Sequence, residues 1–194
     1  HHRVKNNMQI ISSMIRLQFR HIENETLEQL IRDLQQRVHT MSLVHERLYK
    51  SPSLSRIDLA DFIRELAQEL LHSYSRPSES VKLNLALEPV KLRMDYKIPC
   101  GLIINELLTN TLKYAFPPGQ QGTIYIRLKT LQGRQVLLSV CDDGPGYPEL
   151  SDWSKSTTTG LRLIHLLSAQ LRGEYHAVND PGACFELKFQ EENA

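Results

Sequence analysis

The 194-residue sequence predicts an α+β protein in two parts. Residues 1–52 read as an antiparallel helical hairpin that would pair with a second copy into a dimeric four-helix bundle, and residues 53–194 as an α/β sandwich with helices on one face of a sheet. Three observations carry this reading. Two long stripes of apolar residues recur at helical spacing, a Ser- and Pro-containing break follows them, and beyond it helical and strand patterns mix without strict βαβ alternation.

The first stripe runs Val4, Met8, Ile11, Ile15 and Ile22, one face of a long helix. After the polar break at Glu23, Asn24 and Glu25, a second runs Leu27, Ile31, Leu34, Val38, Met41, His45 and Leu48, stepping by four and three in turn, which is a heptad seam. So short a break makes the helices antiparallel neighbours, and a lone hairpin leaves one apolar flank open to water; pairing two hairpins covers it. Ser51 to Ser55, with Pro52, ends the hairpin and marks the domain boundary.

Asp58 then stands as an N-cap before Phe62, Ile63, Leu66, Leu70 and Leu71, which repeat at helical spacing to about Tyr74. Val81, Leu83, Leu85 and Leu87 alternate, the signature of a half-buried strand. A helix is expected from about Pro99, taken as a first-turn proline, to Ala115, with Pro117 and Pro118 closing it. Thr123 to Leu128 and Val136 to Val140 read as strands, Gly160 to Leu171 as a helix, and Glu174 to Val178 and Phe185 to Phe189 as the last two strands.

Composition narrows the function. Lys plus Arg number 23 against 22 for Asp plus Glu, and the basic residues are scattered, so nucleic acid is not an expected partner. No apolar run reaches the roughly 20 residues a bilayer requires. Cys100, Cys141 and Cys184 are far apart in sequence and form no CxxC pair, so neither a disulfide framework nor a zinc site is expected, and a reducing cytoplasm is the expected location.

Three segments carry candidate chemistry. In NELLTNTLKYAF, Glu106, Asn110, Lys113 and Tyr114 share one helix face, which brings a carboxylate, an amide, an ammonium and a phenol to one edge; a solvated polar stripe would look the same. Asn110 stands out, since asparagine is a mediocre mid-helix residue unless its amide is engaged. In CDDGPGYP, Asp142 ends an apolar strand and Gly144 and Gly146 permit close backbone approach, though Asp and Gly also make ordinary turns. In TTTGLRLIHLL, Gly160 opens a helix whose first N–H groups and dipole suit a phosphate; a plain helix start is the alternative.

The order and separation of these segments resemble the Bergerat ATP-binding fold shared by gyrase, heat-shock chaperone ATPases, mismatch-repair ATPases and histidine kinases, over about Ile57 to Phe189. That resemblance implies ATP and Mg²⁺ as cofactors. It implies Asn110 as the Mg²⁺ ligand bridging the phosphates, with Glu106 in the acidic position four residues earlier. Lys113 would meet phosphate and Tyr114 would border the nucleotide. Asp142 would read the adenine amino group beside Gly144 and Gly146, while Gly160 and Leu161 would close over the phosphates. The chain departs from the family where GxGLGL is common: Thr158 and Arg162 flank Gly160 and Leu161, so two glycines are missing. The loop from Tyr147 to Thr159 is brief, implying a short ATP lid, and Gly182 lies where a last glycine box would be, in a loose match.

The opening HHRVKNN resembles the histidine box of sensor histidine kinases. Helix geometry separates its two histidines: His1 extends the apolar seam through Val4 and Met8, whereas His2 aligns with the polar Asn6, Gln9, Ser13, Arg16 and Arg20. An acceptor must reach ATP on another domain, so His2 is the expected phosphoacceptor. The resemblance further implies a homodimer and phosphotransfer to an aspartate in the receiver domain of a response regulator. Arg3 follows His2 where many members carry an acid, and with Lys5 it could attract phosphates or that receiver's acidic pocket. Two other classes use the same ATP box: an ATPase in which Glu106 activates water, and a degenerate member acting as a dimeric scaffold.

Overall fold

The computed structural model describes residues 58–74, 81–116, 120–147, 153–156 and 158–191, with single positions at Ser13, Glu28, Ile31, Leu34, Gln35, Val38 and Ser42. His2 with Arg3, Lys5 and Asn6, most of both hairpin stripes, the break at 51–55 and the tandem Pro117 and Pro118 lie outside the described residues. The chain divides into two compact units, His1–Leu54 and Ser55–Ala194. In the first, the described positions are helical; Leu34 on the expected seam is 43% exposed, and Ile31 and Val38 are half-buried.

The second unit begins with helix α1, Leu59–Tyr74. Its cap is the expected one: Asp58 Oδ1 accepts from the Ala60 N–H at 2.9 Å. The same oxygen accepts from the Val90 N–H at 3.0 Å, so one carboxylate both starts the helix and fastens the chain beyond the first strand. Leu59, Phe62, Ile63, Leu66, Ala67 and Leu70 form its buried face.

Among the described residues five strands follow: β1 Val81–Leu87, β2 Gly122–Thr130, β3 Gln135–Asp142, β4 Glu174–Asn179 and β5 Ala183–Gln190. They form one mixed sheet in the order β1-β2-β3-β5-β4, with β1 and β2 parallel and the other pairs antiparallel. Two further helices, α2 (Met94–Asn110) and α3 (Thr159–Gln170), pack with α1 against the sheet. The period-two register turns Ile124, Ile126, Leu128, Leu138, Val140, Phe185, Leu187 and Phe189 to that layer, where they are almost wholly buried. Among the described residues, no helix is long and apolar enough to cross a membrane.

Three expectations are corrected. Helix α2 starts at Met94, so Pro99 lies inside it and not in its first turn. Arg93 at its N-cap makes no side-chain cap bond, and this start therefore lacks the Ser, Thr, Asp or Asn signal that marks others. Second, the helix does not run evenly to Ala115: from Thr111 to Ala115 it widens into a π-helical turn. Third, Cys141 and Cys184 form a disulfide. They are 43 residues apart in sequence, yet β3 and β5 pair antiparallel with these two residues opposite each other. Sequence distance was the wrong measure, and the argument for a reducing compartment loses that support. Cys100 is a buried free thiol whose pKa is raised by burial.

Candidate functional site

Asp142 is the last residue of β3 and is 3% exposed. A carboxylate so enclosed is tolerable only if donors surround it, and three do. Oδ1 accepts from the Gly144 N–H at 3.0 Å and the Ala183 N–H at 3.2 Å; Oδ2 accepts from the Thr111 hydroxyl at 3.0 Å. The turn after β3, the start of β5 and the end of α2 thus converge on one side chain.

The glycines around it are there for space. A Cβ on Gly182 would lie 2.3 Å from the Asp142 carbonyl oxygen and 2.7 Å from the Gly144 nitrogen, both backbone atoms. Gly182 was only a loose motif match, yet it is the tightest-fitted residue of the site. Gly144 sits against Ala115, where an added Cβ would be 2.8 Å from the alanine Cβ, so the π turn and the Asp-Gly turn touch. Gly146 has φ +87°, a left-handed conformation that side chains resist, and lies over the Asn179 amide. That amide clamps the next residue from both sides, accepting from the Tyr147 N–H at 2.8 Å and donating to the Tyr147 carbonyl at 3.0 Å.

Along α2, Glu106 is 5% exposed and Asn105 is 4% exposed, so the stripe is not solvated at its Glu106 end. Asn110 is half-buried, and Lys113 and Tyr114 face water, Tyr114 at 70% exposure. The π turn accounts for this grading, because the residues after Asn110 no longer follow the α-helical face that Glu106 begins. Helix α3 starts one residue before Gly160, which is buried; Leu161 is half-buried. Thr158, before the helix, makes no side-chain cap bond to it and pairs with Ser156 Oγ at 3.0 Å instead. The helix start carries no acidic residue in its first turn, an electrostatic setting suited to an anion.

The structure therefore gathers Asp142, Gly144 and the π turn that follows Asn110, and places Gly146 on their border. His2 is outside the described residues. Several neighbours went unnoticed in the sequence: Thr111, Asn179, Tyr147 and Trp153. Trp153 is 2% exposed in a short 3₁₀ turn and stacks on Phe185 and Tyr175, with Tyr147 edge-on. Its signal was available, since it is the one tryptophan of the sequence and falls in an otherwise polar loop. The Tyr147 phenol is held above the ordinary tyrosine range by burial and, secondarily, by the Asp142 charge, so it is a neutral hydroxyl beside the carboxylate.

A family model described as histidine kinase matches residues 1–74, and one described as histidine kinase-, DNA gyrase B-, and HSP90-like ATPase matches residues 96–193, half of the chain. Blue-light-activated histidine kinase 2 of Erythrobacter litoralis is 28% identical over 177 residues, covering 89% of this chain and 50% of the relative. The sensor histidine kinase PdtaS of Mycobacterium tuberculosis is 29% identical over 175 residues, covering 89% of this chain and 34% of the relative. This chain thus spans half or less of the length of these curated relatives. Among solved structures, the Erythrobacter litoralis EL346 blue-light activated histidine kinase superposes with a TM-score of 0.70 at 26% identity, over 97% of this chain and 59% of that one.

Proposed function

This chain belongs to the histidine kinase family, and from that premise we propose that it binds Mg-ATP at the Asp142 site and transfers the γ-phosphate to His2. The observation that carries the nucleotide half is the buried Asp142 carboxylate, with Oδ1 satisfied by two backbone N–H groups and Oδ2 keeping acceptor capacity beside the Thr111 hydroxyl. An exocyclic amine is the donor that geometry suits. Gly144 and Gly146 let the backbone approach the base, and Tyr114 offers an exposed ring at the border.

The phosphate half rests on Asn110, Lys113 and the start of α3 at Gly160 and Leu161. Among the described residues no group of three or more His, Cys, Asp or Glu is arranged to hold a metal ion. The donor set fits Mg²⁺, which binds through few protein oxygens and takes the rest from phosphates and water. Asn110 would hold it, with Glu106 behind, and the bound ion would offset charge on the phosphates. Lys113 brings a cation to the same charge.

At His2, a neutral ring nitrogen attacks the γ-phosphorus in line. The bond from that phosphorus to the bridging oxygen breaks, ADP leaves, and the ring, now cationic, gives up the one proton held on its other nitrogen. Residues 1–52 supply the acceptor and the dimer contact, and residues 53–194 the ATP site. The exposed Leu34 and half-buried Ile31 and Val38 support a homodimer, since described seam positions left partly open in one chain are what a second hairpin would cover. The phosphate then passes to an aspartate of a response-regulator receiver domain, toward which Arg3 and Lys5 offer positive charge. A cytoplasmic site of action goes with this reading.

The test is incubation with γ-labelled ATP and Mg²⁺. The expected product is a label on protein that is acid-labile and base-stable and disappears in His2→Gln. Phosphate release without labelled protein would instead favour water activation by Glu106.

A further inference from the structure

We infer that Thr111 is a positioning residue for base recognition: its hydroxyl sets the Asp142 carboxylate so that Oδ2 can accept from the amino group of adenine. The inference rests on the reading of Asp142 proposed above and adds a residue that no motif of the sequence singled out.

Thr111 stands where α2 gives way to the π turn, and its N–H is already used within the helix, by the Leu107 and Leu108 carbonyls. Its side chain is buried against Asp142 with a 3.0 Å hydroxyl-to-carboxylate bond. The other two donors, from Gly144 and Ala183, both go to Oδ1. They anchor one oxygen and leave the second to be fixed from another direction. Among the described residues, Thr111 supplies that direction. A carboxylate oxygen has two lone pairs in its plane; with Thr111 on one, the other is aimed and available.

The hydroxyl also joins two parts of the site. The helix carrying Asn110 and the strand carrying Asp142 are linked side chain to side chain one residue beyond Asn110, inside a buried environment where such a bond is not diluted by water. Removing it leaves Oδ2 short of a donor in the empty site and less well directed in the filled one.

The experiment compares the full chain with Thr111→Val, Thr111→Ala and Thr111→Ser by titration calorimetry with Mg-ATP and with purine riboside 5′-triphosphate, which lacks the amino group. Wild type and Thr111→Ser should prefer ATP. Thr111→Val and Thr111→Ala should bind ATP about three- to tenfold more weakly, the worth of one buried hydrogen bond, and bind the analogue as before. In labelling assays the KM for ATP should rise by the same factor with kcat unchanged. If Val and Ala variants keep the wild-type preference, or lose kcat at unchanged KM, the inference is overturned. If wild type itself does not prefer ATP and Asp142→Asn is equally indifferent, the reading of Asp142 fails and takes the inference with it.

Discussion

The site has two ends that are built differently. At the strand end, Asp142 is enclosed by three donors and Gly182 fits against backbone with no room for one more carbon. At the helix end, Lys113 and Tyr114 face water, and the α3 start has no side-chain cap. The first end is part of the core, so recognition there is inseparable from folding. The second is a surface, where Lys113 and Tyr114 lie exposed on the π turn. On the proposed reading, selection of the base is built into the sandwich, and Lys113 adds charge for the phosphates at its rim.

That contrast can be broken experimentally. The largest effect is expected for Gly182→Ala, whose new methyl group meets backbone atoms that cannot swing aside: a loss of about 2 kcal/mol or more in urea unfolding, together with loss of ATP binding. Unchanged stability would mean that the strand end is looser than its contacts imply. Asp142→Asn comes next. An amide places a donor among donors, and ATP affinity should fall by roughly 10- to 100-fold, with a smaller loss of stability near ~1 kcal/mol.

Lys113→Ala sharpens the comparison from the other end. ATP affinity and labelling rate should drop by about three- to tenfold while stability stays within about 0.5 kcal/mol of wild type. A large stability loss would put Lys113 in the strand-end class. The smallest effect concerns Tyr147→Phe, read in alkali. Burial and the Asp142 charge raise the folded phenol above the ordinary value of 10, so the folded state keeps a proton that the unfolded chain releases. Wild-type stability contributed by this group is therefore intact below pH 10 and declines above it. Unfolding curves of Tyr147→Phe should show a shallower alkaline decline.

The same contrast explains what could be read from sequence. Asp58 as a cap and the alternation from Val81 to Leu87 are local patterns, and the structure follows them. Elements that depend on distant partners were not legible. Thr111 is an ordinary residue of a helical string until β3 brings Asp142 to it, and Gly182 gains its meaning from backbone atoms of Asp142 and Gly144, distant in sequence. The Cys141 and Cys184 pair is likewise a product of strand register. The π turn has no sequence signature, and the true start of α2 lacks a capping residue, so Pro99 misled. His2 stands as a proposal on its motif and its helical face.

The central claim is that one chain holds two separable parts, an ATP site around Asp142 and an acceptor at His2. It is tested most directly by measuring Mg-ATP binding and γ-phosphate labelling on the same preparation of His2→Gln. Wild-type affinity with no label is the expected result. Label that survives the substitution, or ATP affinity lost with it, would contradict the account.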